Sequence, residues 1–307
     1  MPITILEVNS RKELKDFIAF PEKLYKDSQN WVNALWKDEY DTLLKDKNPA
    51  FEYCEAWYFV AKNGSETVGR VAAIVNHNAN RDWNEKYMRF GWLDFVDDLE
   101  VSSALMGKVE ELAVKMEMTA VNGPFGFTDM DREGMLVDGF ENRGSFTTLY
   151  NFPYYRDHLE RLGYLKDADW HQREYDVPGE VPDKLRQYSQ IIKKRYNVRL
   201  LEPVSKKRLR KYGIGLFEAY NKAFVPLYGF SPLTQRQIES YVDQFLPMIN
   251  FDLIAIVINN EDKVVAFAIT MPNISLALKK CKGKLFPFGF LHILKALKSY
   301  EFVDMLM

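Results

Sequence analysis

One stretch constrains this chain more than any other: Asn122–Tyr164, which cannot form regular structure over most of its length. It reads NGPFGFTDMDREGMLVDGFENRGSFTTLYNFPYYRDHLERLGY. Glycines stand at 123, 126, 134, 139 and 144, and prolines at 124 and 153. Both residue types serve where the backbone needs special dihedrals or a close approach. Among them sit Asn122, Asp129, Asp131, Glu133, Asp138, Asn151, Tyr154 and Tyr155. Long irregular connections in a compact domain are functional or disordered. Phe125, Phe127, Phe140, Phe146, Tyr150 and Phe152 give this one too many aromatics for disorder. It is read as the candidate site, with a structural Ω-loop as the alternative. Its end, Tyr154–Leu162, spaces as a short helix closed by Gly163.

The flanking pattern alternates strands and helices. Ile3–Val8 reads as a strand, with Ser10 capping a helix to about Phe20. Asn30–Leu44, rich in aromatics, reads as helical, its tryptophans taken as core. Ala56–Lys62 and Thr67–Val75 flank Asn63-Gly64-Ser65, a hairpin signal. Tyr87–Val96 is the next strand. Val101, Leu105, Leu112 and Met116 make a helical apolar stripe behind Asp97-Asp98-Leu99-Glu100, read as an acidic N-cap with Glu100 completing a capping box. Thr119–Asn122 then enters the central stretch, and this strand–helix–strand order implies parallel pairing. Asp169–Val177 alternates like a final strand, with His171 on its surface. A Pro178–Pro182 segment reads as a linker between two domains, 1–178 and 179–307. Beyond it come a strand at Val198–Leu201, helices at Ser205–Phe224 and Thr234–Leu246, and a hairpin of Leu253–Ile258 with Val264–Thr270. Two short helices between Ile274 and Tyr300 and the start of a strand at Phe302–Met307 complete the reading.

Charge differs between the halves. Residues 1–178 carry 21 Lys+Arg and 32 Asp+Glu, and residues 179–307 carry 20 and 11. The basic positions lie on helix-like segments without interleaved aromatic platforms, which favours docking or solubility over nucleic-acid binding. No apolar run is long enough to span a membrane, so no membrane partner is expected. No secretory signal is visible at the start, and Cys54 and Cys281 lie far apart. Reduced thiols and a cytoplasmic location are the expectation. The four histidines show no metal-ligand spacing, so no metal is expected.

This order, a mixed α/β sheet with strand, two helices, hairpin, long strand, helix, strand and helix, resembles the GNAT superfamily of acyl-CoA-dependent N-acyltransferases. HLERLGY at 158–164 is similar to the ending of that family's last helix, and NGPFGFTDMDREGMLVDGF with YNFPYY resembles an uncharacterised bacterial branch. Residues 198–270 resemble the first half of a second copy, and the chain stops where its long strand would begin. The resemblance implies acyl transfer from acetyl-CoA or another acyl-CoA to an amine, on a small molecule or peptide. Glu133 or Asp138 would serve as base and Tyr155 as acid to the thiolate. Asn122, Asn151, Tyr154 and Asp129 would orient substrate.

Two departures bear on that. The family's pyrophosphate loop is glycine-rich and uses the positive end of a helix dipole. Here the place is Asp97-Asp98-Leu99-Glu100-Val101-Ser102-Ser103, with three carboxylates and no glycine. A like-charge pair at about 4 Å costs roughly 4 kcal/mol at an effective dielectric near 20, less when exposed. The family's acid position, four residues before Gly163, is Leu159, with Tyr155 one turn earlier. These departures keep two other readings open: a non-catalytic GNAT-fold ligand-binding or scaffold protein, and an aminoacyl transferase using charged tRNA.

Overall fold

The computed structural model describes residues 2–202, 204–246 and 249–306. In chain order they form β1 (Ile3–Glu7), α1 (Arg11–Leu24), α2 (Trp36–Leu43), β2 (Cys54–Asn63), β3 (Glu66–Asn76), α3 (His77–Asp82), β4 (Tyr87–Phe95), α4 (Leu99–Lys115), β5 (Ala120–Asn122) and α5 (Tyr154–Arg161). Then follow α6 (Asp183–Tyr196), β6 (Arg199–Leu200), α7 (Lys206–Phe224), α8 (Gln235–Phe245), β7 (Ile254–Ile258), β8 (Val264–Pro272), α9 (Ser275–Cys281), α10 (Gly289–Lys298) and β9 (Val303–Met305). Packing groups them into two units. The first is Met1–Ala168 with Tyr228–Ser231 and Ile274–Ala296, and the second is Asp169–Leu227, Pro232–Asn273 and Leu297–Met307.

The first unit is built on a five-stranded sheet in the order β1-β2-β3-β4-β5. All pairs are antiparallel except β4 with β5, which is parallel as the strand–helix–strand order requires. Both faces of β3 are covered, so its side chains alternate between two cores. Val71, Ala73 and Val75 meet Val101, Leu105, Val109 and Leu112 of α4. Ala72 and Ile74 meet Leu14, Phe17 and Ile18 of α1. Full burial of each large side chain stabilises by about 1.5–3 kcal/mol. Helix α1 starts with a reciprocal capping box: Glu13 N–H donates to Ser10 Oγ at 3.2 Å, and Ser10 N–H to Glu13 Oε2 at 2.9 Å.

The second unit holds a four-stranded antiparallel sheet, β6-β7-β8-β9. Ile254, Ile256 and Ile258 of β7 are buried, as are Leu209, Leu216, Phe217 and Tyr220 of α7. Its strand, two helices, hairpin and strand repeat the order of the first half of the first unit.

Four expectations are corrected. Asp169–Val177 is exposed and forms no strand, and His171 with it: the segment pairs with none of the edge strands, and its alternation buries no face. Residues 30–35 are not helical, because α2 begins only at Trp36, where the stacked Trp36–Tyr40 pair (5.1 Å between rings) lies. There is no capping box at α4: the N-cap is Asp98, whose side chain accepts from Glu100 N–H at 2.9 Å, which moves Glu100 off the N3 position. Helices α3 and α6 were not expected, and α6 buries no residue. Met307, in the expected last strand, lies outside the described residues.

Candidate functional site

The site begins with how β4 meets its neighbours. Against β3, Asp94 pairs with Arg70 and Gly91 with Ala72, so Trp92 and Leu93 face Val71 in a bulge. Trp92 takes φ 46° there. Against β5, only Tyr87–Arg89 pair, with Ala120–Asn122. Phe125 N–H then donates to Phe90 O at 2.7 Å, and the loop crosses β4 so tightly that a Cβ on Gly91 would stand 2.3 Å from Phe125 O. The ladder between β4 and β5 ends at Arg89, and past Gly91 the loop meets β4 through side chains, with Phe127 5.8 Å from Trp92 between ring centres.

Tyrosine hydroxyls occupy the end of β4. Tyr155, 2% exposed, accepts from Phe95 N–H at 3.1 Å, and Tyr154 donates to Phe95 O at 2.6 Å. The Tyr155 hydroxyl also lies 2.7 Å from that of Tyr25 and 3.2 Å from Asp94 Oδ1. Tyr25 donates to Asp94 Oδ1 at 2.8 Å, and Arg70 holds Asp94 Oδ2 through Nε at 2.8 Å and a second nitrogen at 2.7 Å. Burial first, and the Asp94 charge second, push both phenols well above their ordinary pKa. Tyr155 therefore stays protonated, and its one proton is shared with Tyr25 or Asp94. Leu159, at the family's acid position, is buried in the core against α4.

A second cluster lies where the strands still pair. Arg89, 8% exposed, donates to Gly126 O at 3.3 Å and Gly229 O at 3.0 Å and lies over Phe125 at 5.0 Å. Asp131 accepts from Phe127 N–H at 2.8 Å and Thr128 N–H at 3.1 Å, and burial raises its carboxyl to about 6 despite those bonds. It packs where Gly126 lacks a side chain: a Cβ there would be 2.2 Å from Asp131 Cβ. Glu133 rises to about 8, by burial first and then by the charge of Asp129 and Asp131, against the pull of Arg89. Beside Arg89 is a cavity of about 30 Å³, room for water-sized groups, lined by Asn80, Glu85, Asn122 and Tyr228 among others.

The remaining expected residues are spread over the loop. Asn122 Nδ2 donates to the Tyr228 hydroxyl at 3.0 Å, and both line that cavity. Asn151, 5% exposed, has Leu136 N–H on its Oδ1 (2.7 Å) and gives its amide protons to Leu136 O and Phe152 O, both at 3.0 Å. Those bonds use it to pin the loop. Asp138 is exposed beside Gly139. Tyr25, Arg70, Asp94 and Arg89 were missed, and a signal existed for three of them: a charge inside the apolar strands VGRVAAIV and MRFGWLDF must find a buried partner.

The start of α4 does not fit the pyrophosphate that this kind of fold otherwise holds there. Asp98 caps Glu100 N–H, and Asp97 Oδ1 meets His158 Nε2 at 3.0 Å. His158 Nδ1 in turn lies 2.9 Å from Ser102 Oγ. The first turn is thus filled by the chain's own carboxylates and imidazole, and a further anion there would meet like charge.

A bulged fourth strand, a parallel fifth strand whose ladder with it ends at Arg89, and the helix between them together decide the architecture. The fold is GNAT-like. No family model matches the chain. Protein YghO of Escherichia coli (strain K12) is 29% identical over 94% of this chain and 73% of its own length. The bacterial ceramide synthase of Caulobacter vibrioides (strain NA1000 / CB15N) is 26% identical over 96% of this chain and 77% of its own. A tandem GNAT protein from the clavulanic acid biosynthesis pathway aligns with 99% of this chain and 96% of that one, at 11% identity and a TM-score of 0.44.

Proposed function

We propose that the chain is an N-acyltransferase that moves an acyl group from an acyl thioester to an amine. The observation that carries this is the short β4–β5 ladder, which ends at Arg89, with the bulge at Trp92 beyond it and the Tyr155 hydroxyl on the Phe95 N–H at the end of β4. The relative named bacterial ceramide synthase supports it, since ceramide is the amide of a long-chain amino alcohol. A long-chain amine is accordingly the acceptor we favour, acyl-CoA the donor, and the cytoplasm the setting. The donor's nucleotide must then lie away from the start of α4.

In the reaction the amine nitrogen attacks the thioester carbonyl, the C–N bond forms, the C–S bond breaks, and the amine proton must leave. Of the two base candidates, Glu133 is the better, because a carboxyl at about 8 accepts a proton near neutral pH and Asp138 stands in solvent. Asp129 raises the basicity of Glu133, and Asn122 places a donor at the neighbouring cavity. Tyr155 keeps its proton throughout. Turning it from Tyr25 toward a leaving sulfur breaks one hydrogen bond, at a cost of about 1 kcal/mol. Tyr154 holds the strand end, and Asn151 holds the loop.

The test is incubation with a long-chain acyl-CoA and a long-chain amino alcohol, following thiol release and amide mass together. Amide formed with equimolar thiol supports the reading. Tight acyl-CoA or amine binding without turnover would favour the second reading, a non-catalytic ligand-binding protein. The acidic start of α4 speaks for that second reading.

A further inference from the structure

The segment 274–300 combines apolar and cationic side chains without any acid. It holds six lysines, at 279, 280, 282, 284, 295 and 298, and no Asp or Glu. Two of them are engaged with the rest of the first unit. Lys279 donates to the carbonyls of Ser28 and Gln29, and Lys284 pairs with Glu22 at 3.3 Å. Trp36 N–H donates to Gly283 O at 3.0 Å and Phe146 N–H to Ser275 Oγ at 3.1 Å, so α9 and the turn after it are fixed to the body of the first unit. Lys280, Lys282, Lys295 and Lys298 remain exposed.

Between these lysines the apolar side chains face outward. Phe286 is 83% exposed, Phe288 71%, Leu291 53% and Leu294 49%. On α10 only Ile293 is buried; Leu291 and Leu294, with Phe288 just before the helix, recur at three-residue spacing on its exposed faces. Single exposed apolar residues need no explanation, but this many in one short segment form a patch that does.

We propose that this surface seats on an anionic lipid bilayer. Helix α10 lies in the interface plane, Phe286, Phe288, Leu291 and Leu294 enter the boundary of headgroups and acyl chains, and the four exposed lysines meet the lipid phosphates. Charge selects this occupant. A second copy docking face to face would bring the four lysines against their own copies, and the segment itself supplies no carboxylate to meet them. No helix among the described residues is long and apolar enough to cross a membrane, so the attachment proposed is at the surface. The inference stands on this surface alone, and binding is read without turnover, so it fails or holds separately from acyl transfer.

The experiment is cosedimentation of the full chain with vesicles of phosphatidylcholine alone and of phosphatidylcholine with phosphatidylglycerol. Binding is expected only with the anionic lipid and is weakened by salt. Lys295→Ala and Lys298→Ala should each weaken it roughly fivefold at low salt. Phe288→Ser with Leu291→Ser should weaken it about tenfold or more. All four side chains are exposed, so an unchanged thermal melt is the control for folding. No binding to anionic vesicles at low salt would overturn the proposal, as would equal binding by the variants. Light scattering that shows a lipid-free dimer, dispersed by Leu291→Ser, would assign the face to a second copy instead.

Discussion

Two buried arginines on neighbouring strands end in different company. Arg70 of β3 reaches Asp94, which also receives Tyr25 and, at longer range, Tyr155. Arg89 of β4 makes no ion pair among the described residues; its hydrogen bonds go to two loop carbonyls. The first arrangement is a closed circuit of charge and hydrogen bonds. The second leaves Glu133 and Asp131 to carry raised pKa values near a cation that does not fully neutralise them. A closed circuit holds a fold, and an open one is where a ligand has something to change.

The comparison breaks first at the closed circuit. Arg70→Met leaves Asp94 as an uncompensated buried charge, and chemical denaturation should show a loss of about 3–5 kcal/mol. A loss below about 1 kcal/mol would mean that water already reaches the pair. Next comes Tyr155→Phe, which strips Phe95 N–H and Tyr25 of a partner. It should cost about 1–3 kcal/mol in the same measurement, and amide formation should fall roughly a hundredfold if the hydroxyl meets the leaving sulfur.

The open arrangement gives a smaller effect with a definite sign. Glu133 has a folded pKa of about 8, above its ordinary 4.5. A raised carboxyl contributes stability in full below its unfolded pKa, and that contribution is lost as pH rises through the folded value. The chain should therefore lose stability between pH 4.5 and about 8. Screening holds the loss to about 1–2 kcal/mol. Glu133→Gln should flatten that slope in melts taken across the range, and an unchanged slope would place the titration elsewhere.

The smallest effect is at the start of α4. Asp98→Asn keeps a capping oxygen and removes a charge, so stability should move by only a few tenths of a kcal/mol. Calorimetric affinity for acyl-CoA should improve if the nucleotide passes near this helix, and stay the same if it lies elsewhere, as the account has it.

Much of this architecture was legible in the chain. The hairpin turn at Asn63–Ser65, the caps at Ser10 and Thr234, and the stripe from Val101 to Met116 are local signals, and each element formed. Gly163, at φ 92°, closes α5 as its position implied. The failures are tertiary. Alternation at Asp169–Val177 resembles a strand, but the segment pairs with none of the edge strands. The exposed α6 follows a linker signal that hid its periodicity. The site was half legible: the loop's glycines pointed to it, and Gly91 and Gly126 show why close approach demanded them. Which polar side chains would act was not legible. Asn151, Asp131 and Glu133 look alike as polar loop residues, and only packing made Asn151 and Asp131 hold loop N–H groups while Glu133 was left with the higher of the two raised carboxyl pKa values.

The most direct test of the central claim is the pH dependence of amide formation from a long-chain acyl-CoA and a long-chain amine, in the wild type and Glu133→Gln. The wild-type rate should climb as Glu133 ionises near pH 8, and the variant should keep a low rate without this limb. Equal rates with the same profile in both proteins would contradict that claim.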